Sequence, residues 1–257
     1  MKKYVYHFDD GKLDPFSNSL DNRIGDTTSH HEHDYLELIC TLLSVYREGA
    51  ILDVGAGVGR VTSVARERAA EVVALEPDEE RWQICHEALH DDPACKVLCQ
   101  TTSKYIAENP GKQFDFIVVG MVLQHISTVA SRKLMEEIAT LLKPNGTAIV
   151  STTHVPAEYG GFSFSYSPNA SKISEEEFNR YAQLKPEEQS MGLPVRRFSK
   201  DNLIDLVSEF FEPILWREMS FINENGAAFF AKQWEVDKEK LLGTGLSQYV
   251  MVQKAAS

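Results

Sequence analysis

The chain has 257 residues, 43% of them hydrophobic and 25% charged, with a formal net charge of −12. That is the mix of a folded globular protein, and it excludes disorder as the main state. The negative charge argues against wrapping nucleic acid through phosphate contacts, and no run of about 18 apolar residues exists to span a bilayer.

The N-terminal residues 1–34 are polar and rich in turn formers, and MKKYVYHFDDGK lacks the apolar stretch of a signal peptide. Asp34 to Tyr46 carries apolar residues at Leu36, Ile39, Cys40, Leu43 and Val45, a spacing that predicts a helix with one apolar face. Residues 1–47 are expected to form a segment that covers a site on the main domain, residues 48–257. Within Ser29-His30-His31-Glu32-His33-Asp34, the side chains of His30, His31 and His33 suit contact with substrate or simply a polar helix start. No metal centre is expected.

From Ala50 the pattern changes period. Ala50 to Val54 reads as a buried strand, Arg60 to Ala69 as a helix, and Glu71 to Glu76 as a second strand. Asp78 to Ala88 is a predicted helix with Asp78 as N-cap, followed by a strand over Lys96 to Gln100. Phe114 to Val119 is a fourth strand. A helix over Ala130 to Leu142 ends at Lys143-Pro144-Asn145-Gly146, and Thr147 to Ser151 is a fifth strand. Apolar strands alternating with amphipathic helices predict a mostly parallel sheet with helices on both faces, a doubly wound α/β fold. Residues 152–198 break this rhythm and read as a lid insertion, with a helix over Ser174 to Gln183 capped by Ser174 and Glu177. Ser199 to Phe211 is a further helix. Two late strands, Ile214 to Phe221 and Gln248 to Val252, close the sheet, the last of them antiparallel; the stretch around Phe229, Phe230 and Trp234 has no clear period. Cys40, Cys85, Cys95 and Cys99 contain no C-x-x-C pair and read as reduced core residues of a cytoplasmic protein.

Asp53-Val54-Gly55-Ala56-Gly57-Val58-Gly59 follows a strand and opens a helix. Glycines there permit a tight turn and close approach of a ligand. A dinucleotide site shows a similar pattern, but Asp53 would repel a pyrophosphate and suits an ammonium group instead. Glu76, at the end of the next strand, stands where a ribose diol is gripped. A ligand with a ribose and an amino acid but no phosphate fits both, as S-adenosylmethionine does.

Ile51 to Gly59, Glu76, Phe114-Asp115-Phe116-Ile117 with Val122-Leu123-Gln124-His125-Ile126, and Leu142 to Gly146 together resemble the motifs of class I, Rossmann-like S-adenosylmethionine-dependent methyltransferases, in their order and spacing. The resemblance covers roughly residues 48–151. It implies that Gly55, Ala56 and Gly57 pack on the methionine part and that Glu76 accepts from the ribose hydroxyls. It further implies that Pro77 borders the adenine, with Gln100, Thr101 and Thr102 nearby, where many relatives carry an acid. Gly120 and Met121 would offer backbone to the methionine end, and Arg60 would either pair with the cofactor carboxylate or stand solvated.

For chemistry, His125 and His154 follow the fourth and fifth strands and so sit near the edge where such sheets bind ligands. Each is a candidate base or a packed residue. A base role needs the neutral ring, so the rate would fall as pH drops through about 6.5. Tyr159, Phe162, Phe164 and Tyr166 form either an acceptor wall or lid core. The expected activity is methyl transfer to an oxygen or nitrogen of a small molecule. A protein or peptide N-methyltransferase is the alternative: Gly55 to Thr62 with His125 resembles the protein N-terminal methyltransferases, but Thr152 and Thr153 stand where those carry an Asp-Asn pair. A non-catalytic cofactor-binding subunit is the third reading.

Overall fold

The computed structural model describes residues 28–29, 31–46, 48–164, 171–184, 188–189, 191, 194–222, 224–234, 237–242 and 245–254. An eight-stranded sheet is built from β1 (Thr28–Ser29), β2 (Ala50–Val54), β3 (Glu71–Leu75), β4 (Cys95–Leu98), β5 (Phe114–Gly120), β6 (Leu142–Thr153), β9 (Glu212–Ile222) and β10 (Gly245–Gln253), in the order β1-β9-β10-β6-β5-β2-β3-β4. β2 to β6 run parallel to one another, while β10 pairs antiparallel with both β6 and β9. The strand order reverses at β2, which lies between β3 and β5. A crevice past the carboxyl ends of these strands is where open α/β sheets take ligands.

Alternation along the strands builds two cores. Leu52, Val54, Leu75, Ile117, Val119 and Val150 face one way. They pack with Tyr105 of α4 (Thr102–Glu108), Met135 and Ile138 of α5 (Thr128–Leu141), and Leu203 and Val207 of α7 (Lys200–Ser208). Ile51, Val72, Phe116, Val118 and Ile149 face the other way. They meet Ile39 and Leu43 of α1 (His31–Val45), Val64 of α2 (Arg60–Arg66), and Cys85 and Leu89 of α3 (Glu79–Leu89). Helices therefore cover both faces, as the alternation of elements requires. Among the described residues, no helix is long and apolar enough to cross a membrane.

The strong local signals appear in the structure as capped helices. Asp78 Oδ1 accepts from the Arg81 amide at 3.0 Å, and Ser174 Oγ accepts from the Glu177 amide at 3.1 Å, capping α3 and α6 (Glu175–Tyr181). Four readings need revision. α4 has no counterpart among the predicted elements; only Thr102 and Tyr105 of its seven residues are buried, too few to set a period. β6 starts at Leu142, opposite Phe114, so the chain passes from α5 into the strand through the segment expected to be a separate turn. α8 (Glu224–Trp234) occupies the stretch around Phe229, Phe230 and Trp234, and a short α9 (Lys238–Leu241) follows. Cys99 is exposed, because β4 ends one residue before it; all four cysteines are free.

Residues 152–198 include β7 (Gly161–Ser163), α6 and β8 (Val195–Arg197), with β7 and β8 paired antiparallel. Phe178 and Val195 are fully buried there. The Thr153 hydroxyl ties β8 to the body: it donates to the Arg196 carbonyl at 2.9 Å and accepts from the Phe198 amide at 3.2 Å. Fully buried Gln248 adds bonds from its Nε2 to the carbonyls of Phe198 and Ser199, both at 3.2 Å.

Candidate functional site

The chain leaves β2 through Gly55, Ala56 and Gly57. The Gly55 and Ala56 amides both donate to the Leu75 carbonyl, at 2.8 and 3.0 Å, which folds the loop back over the end of β3. Gly55 has φ +68°, and a Cβ there would lie 2.3 Å from Val122 Cγ2, so only glycine fits against the segment after β5. Gly57 has φ +58°, but a Cβ there would meet no protein atom within 4 Å. Its backbone borders open space, as a ligand cradle requires.

Glu76 stands just past β3 and is 4% exposed. Its Oε2 accepts from the Gly57 amide at 2.8 Å and its Oε1 from the Asp78 amide at 2.9 Å. The carboxylate thus staples the glycine loop to the start of α3. Each oxygen has two lone pairs, so each keeps one acceptor position for a ligand. Burial raises the Glu76 pKa, and the two amide bonds pull it back only in part.

Asp53 is 2% exposed and lies beneath α2, where its Oδ2 accepts from Thr62 Oγ1 at 2.6 Å. Burial pushes its pKa up to about 6, against an ordinary 3.8. The folded state therefore holds a proton that the unfolded chain has already lost between these values. Stability from this group is fully present below about 3.8 and is lost as pH rises through about 6. Asp53→Asn removes the penalty of the buried charge. Urea unfolding at pH 4 and pH 7 is expected to show the parent chain losing about 2 kcal/mol relative to the variant across that interval. Parallel pH profiles for the two chains would remove the buried-charge assignment.

At the end of β5, Gly120 leads into Met121, which takes φ +55° without being a glycine. The Met121 amide donates to the Ser151 carbonyl at 3.0 Å. Its carbonyl accepts from Gln124 Nε2 at 2.8 Å, and Gln124 Oε1 accepts from Thr152 Oγ1 at 3.0 Å.

His125 Nδ1 lies 2.9 Å from the Pro194 carbonyl, so that nitrogen carries the proton and fastens the turn after β5 to the start of β8. Burial holds its pKa down at about 4, so a titration near 6.5 is not expected from this ring. His154 Nε2 lies 3.1 Å from Glu218 Oε1 on β9, and the ring meets Trp216 edge-on at 5.6 Å. Its pKa is lowered by burial, with Glu218 opposing. His154 is thus directed across β10 toward β9 rather than toward β5. Thr101 Oγ1 accepts from the Lys104 amide as the cap of α4, and the Thr102 hydroxyl donates to Glu137, so both side chains are already bonded within the fold. Pro77 is exposed, and Gln100 and Arg60 are half-buried; they lie past the ends of β3, β4 and the glycine loop respectively. Phe162 packs on Phe178 at 4.8 Å and Phe164 on Tyr181 at 4.5 Å, both against α6, while Tyr159 is exposed. Tyr166 and His30 lie outside the described residues; His31 and His33 lie on α1, with side chains outside the description.

Asp53, the glycine loop, Arg60, Glu76 and Pro77 gather at the carboxyl ends of β2 and β3, with Gln100 at β4 and Gly120 and Met121 at β5. Sequence reasoning named Val122 and Gln124 within a motif and Thr152 by comparison, but gave none of them a role at this edge. The local sign was a polar Gln124 close to apolar neighbours.

A family model described as a methyltransferase domain matches residues 29–210. An uncharacterized methyltransferase of Alkaliphilus oremlandii is 20% identical over 152 residues, 57% of this chain and 68% of that protein. The biotin biosynthesis bifunctional protein BioHC of Cellvibrio japonicus is 32% identical over 102 residues, which span 40% of this chain and 19% of that one. Among solved structures, the Burkholderia thailandensis 1,6-didemethyltoxoflavin-N1-methyltransferase with bound 1,6-didemethyltoxoflavin and S-adenosylhomocysteine has a TM-score of 0.57 at 16% identity, covering 86% of this chain and 78% of that one. At that identity the likeness shows a shared fold.

Proposed function

The chain belongs to the methyltransferase-domain family, and on that premise we propose that it uses S-adenosylmethionine to methylate an oxygen or nitrogen of a small-molecule acceptor. The observation that carries the donor assignment is the Glu76 carboxylate, buried, bonded to the Gly57 and Asp78 amides, and retaining one acceptor position on each oxygen. Two vicinal hydroxyls match that pair of positions, and such bonds are charge-assisted. Gly55, Ala56 and Gly57 then line the methionine part, with Asp53 supplying negative charge beneath it and Arg60 beside the carboxylate. Gly120 and Met121 offer backbone at the same end. Pro77, Gln100 and the backbone of Thr101 and Thr102 border the adenine.

When bound, the donor supplies a methyl group already activated on a sulfonium. The protein's own part is chiefly positioning and exclusion of water. The site histidines fit this division. His125 keeps a neutral ring fastened to Pro194, and His154 is paired with Glu218. We therefore place both as residues that hold the acceptor side in shape, and the acceptor reaches the donor without a general base of pKa near 6.5. Tyr159, Tyr166 and the histidines of residues 30–33 are the proposed acceptor contacts, with Phe162 and Phe164 backing the lid.

The small-molecule class is supported by the toxoflavin-type neighbour, which holds such a substrate. A net charge of −12 favours a basic peptide as the second reading. Against it, Thr152 and Thr153 are buried and bonded to Gln124 and to the Arg196 carbonyl. The same charge supports independence from nucleic acid, and four free cysteines support a cytoplasmic location. The test is transfer from tritium-labelled S-adenosylmethionine in a mixed metabolite and peptide pool. Label is expected in the low-mass fraction. Label confined to peptides would shift the acceptor class, and binding without any labelled product would make the chain a cofactor-binding subunit.

A further inference from the structure

Met121 is one of only two non-glycine residues with positive φ among those described, at +55°; the other, Asn145 at +62°, is of a type that tolerates this region. Methionine gains nothing locally from the left-handed conformation, so its surroundings must impose it. Three bonds do so. The Ser151 carbonyl takes the Met121 amide, Gln124 Nε2 donates to the Met121 carbonyl at 2.8 Å, and Thr152 Oγ1 donates to Gln124 Oε1 at 3.0 Å. Gln124 is 1% exposed and Thr152 fully buried, so neither polar group has water as a substitute. The next residue, Val122, places its Cγ2 against the Cα of Gly55, where a Cβ would lie 2.3 Å away. A relaxed turn at Met121 therefore moves the wall that the glycine loop rests on.

We infer that Gln124 is a positioning residue for the cofactor end of the site: acting through the Met121 carbonyl and anchored by Thr152, it holds the strained turn that sets the spacing between the end of β5 and the glycine loop. The inference rests on the reading of this cleft as the S-adenosylmethionine site. It assigns Gln124 no contact with cofactor or acceptor.

The experiment follows from the strain. Glycine adopts positive φ without help. Gln124→Leu, which keeps the volume and removes both hydrogen bonds, is made in the parent chain and in the Met121→Gly variant, and S-adenosylhomocysteine affinity is measured by calorimetry well below each protein's unfolding temperature. The expected result is a loss of about tenfold from Gln124→Leu in the parent background and of less than about threefold in the Met121→Gly background. A filler role for Gln124 would lower the unfolding temperature in both backgrounds and leave the affinity ratio the same in each; equal ratios, or no loss in either, overturn the inference. If Gln124→Leu does not fold, Thr152→Val, which removes only the outer link, is compared in the same two backgrounds and must show the same asymmetry in weaker form. A parent chain that does not bind S-adenosylhomocysteine at all would instead remove the cofactor reading on which this rests.

Discussion

Titrated with S-adenosylhomocysteine, the Glu76→Ala variant is expected to bind about tenfold to 150-fold more weakly than the parent chain, the equivalent of roughly 1.5–3 kcal/mol for hydrogen bonds to a charged group. Two losses combine. The ribose hydroxyls lose their acceptors, and the Gly57 and Asp78 amides lose the carboxylate that joins the loop to α3. Glu76→Gln separates these, since one amide oxygen can still accept from Gly57 or Asp78 while the NH2 group cannot accept from a hydroxyl. An intermediate loss is expected for Gln. Equal affinity for parent and Ala variant would remove Glu76 from the site.

Gly57→Val is expected to lower affinity by more than about a hundredfold while the protein stays folded. The φ of +58° disfavours a β-branched residue, at a cost of roughly 1–2 kcal/mol in stability. No protein atom lies within 4 Å of the added Cβ, so the core has no reason to rearrange. The new methyl groups enter the space that the bound methionine part needs. Gly57→Ala grades the effect, with the same backbone strain and less volume. If both variants retained parent affinity and a parent-like circular dichroism spectrum, the space beside Gly57 would not be the cradle.

The parts of this structure legible in the sequence are those set by neighbours in the chain. The β2–β6 alternation, the Asp78 and Ser174 caps and the glycine turn each follow from residues a few positions apart. The short α4 escapes such a reading because seven residues with two buried give no measurable period. The turn at Met121 escapes for a different reason: its residue type carries no signal for positive φ, and the bonds that hold it come from Gln124 and, through it, from a threonine 28 positions further on. The same distance hides the histidines' partners. Pro194 lies 69 positions from His125, and Glu218 lies 64 from His154. Position at the sheet edge suggests a base for each; burial and these partners give one a pKa near 4 and direct the other toward β9. Phe162 and Phe164 fit either an acceptor wall or lid core by sequence, and in the structure they pack on Phe178 and Tyr181 of α6.

The central claim is that the cleft formed by the glycine loop, Glu76 and the end of β5 takes a nucleoside bearing an amino acid and no phosphate. Calorimetric titration of the unmodified chain with S-adenosylhomocysteine, and in a parallel cell with NADH, tests it most directly. The expected result is saturable one-to-one binding of S-adenosylhomocysteine with a dissociation constant of about 1–100 μM, roughly −8 to −5 kcal/mol, and no heat from NADH beyond dilution. Saturable binding of NADH with none of S-adenosylhomocysteine would contradict it.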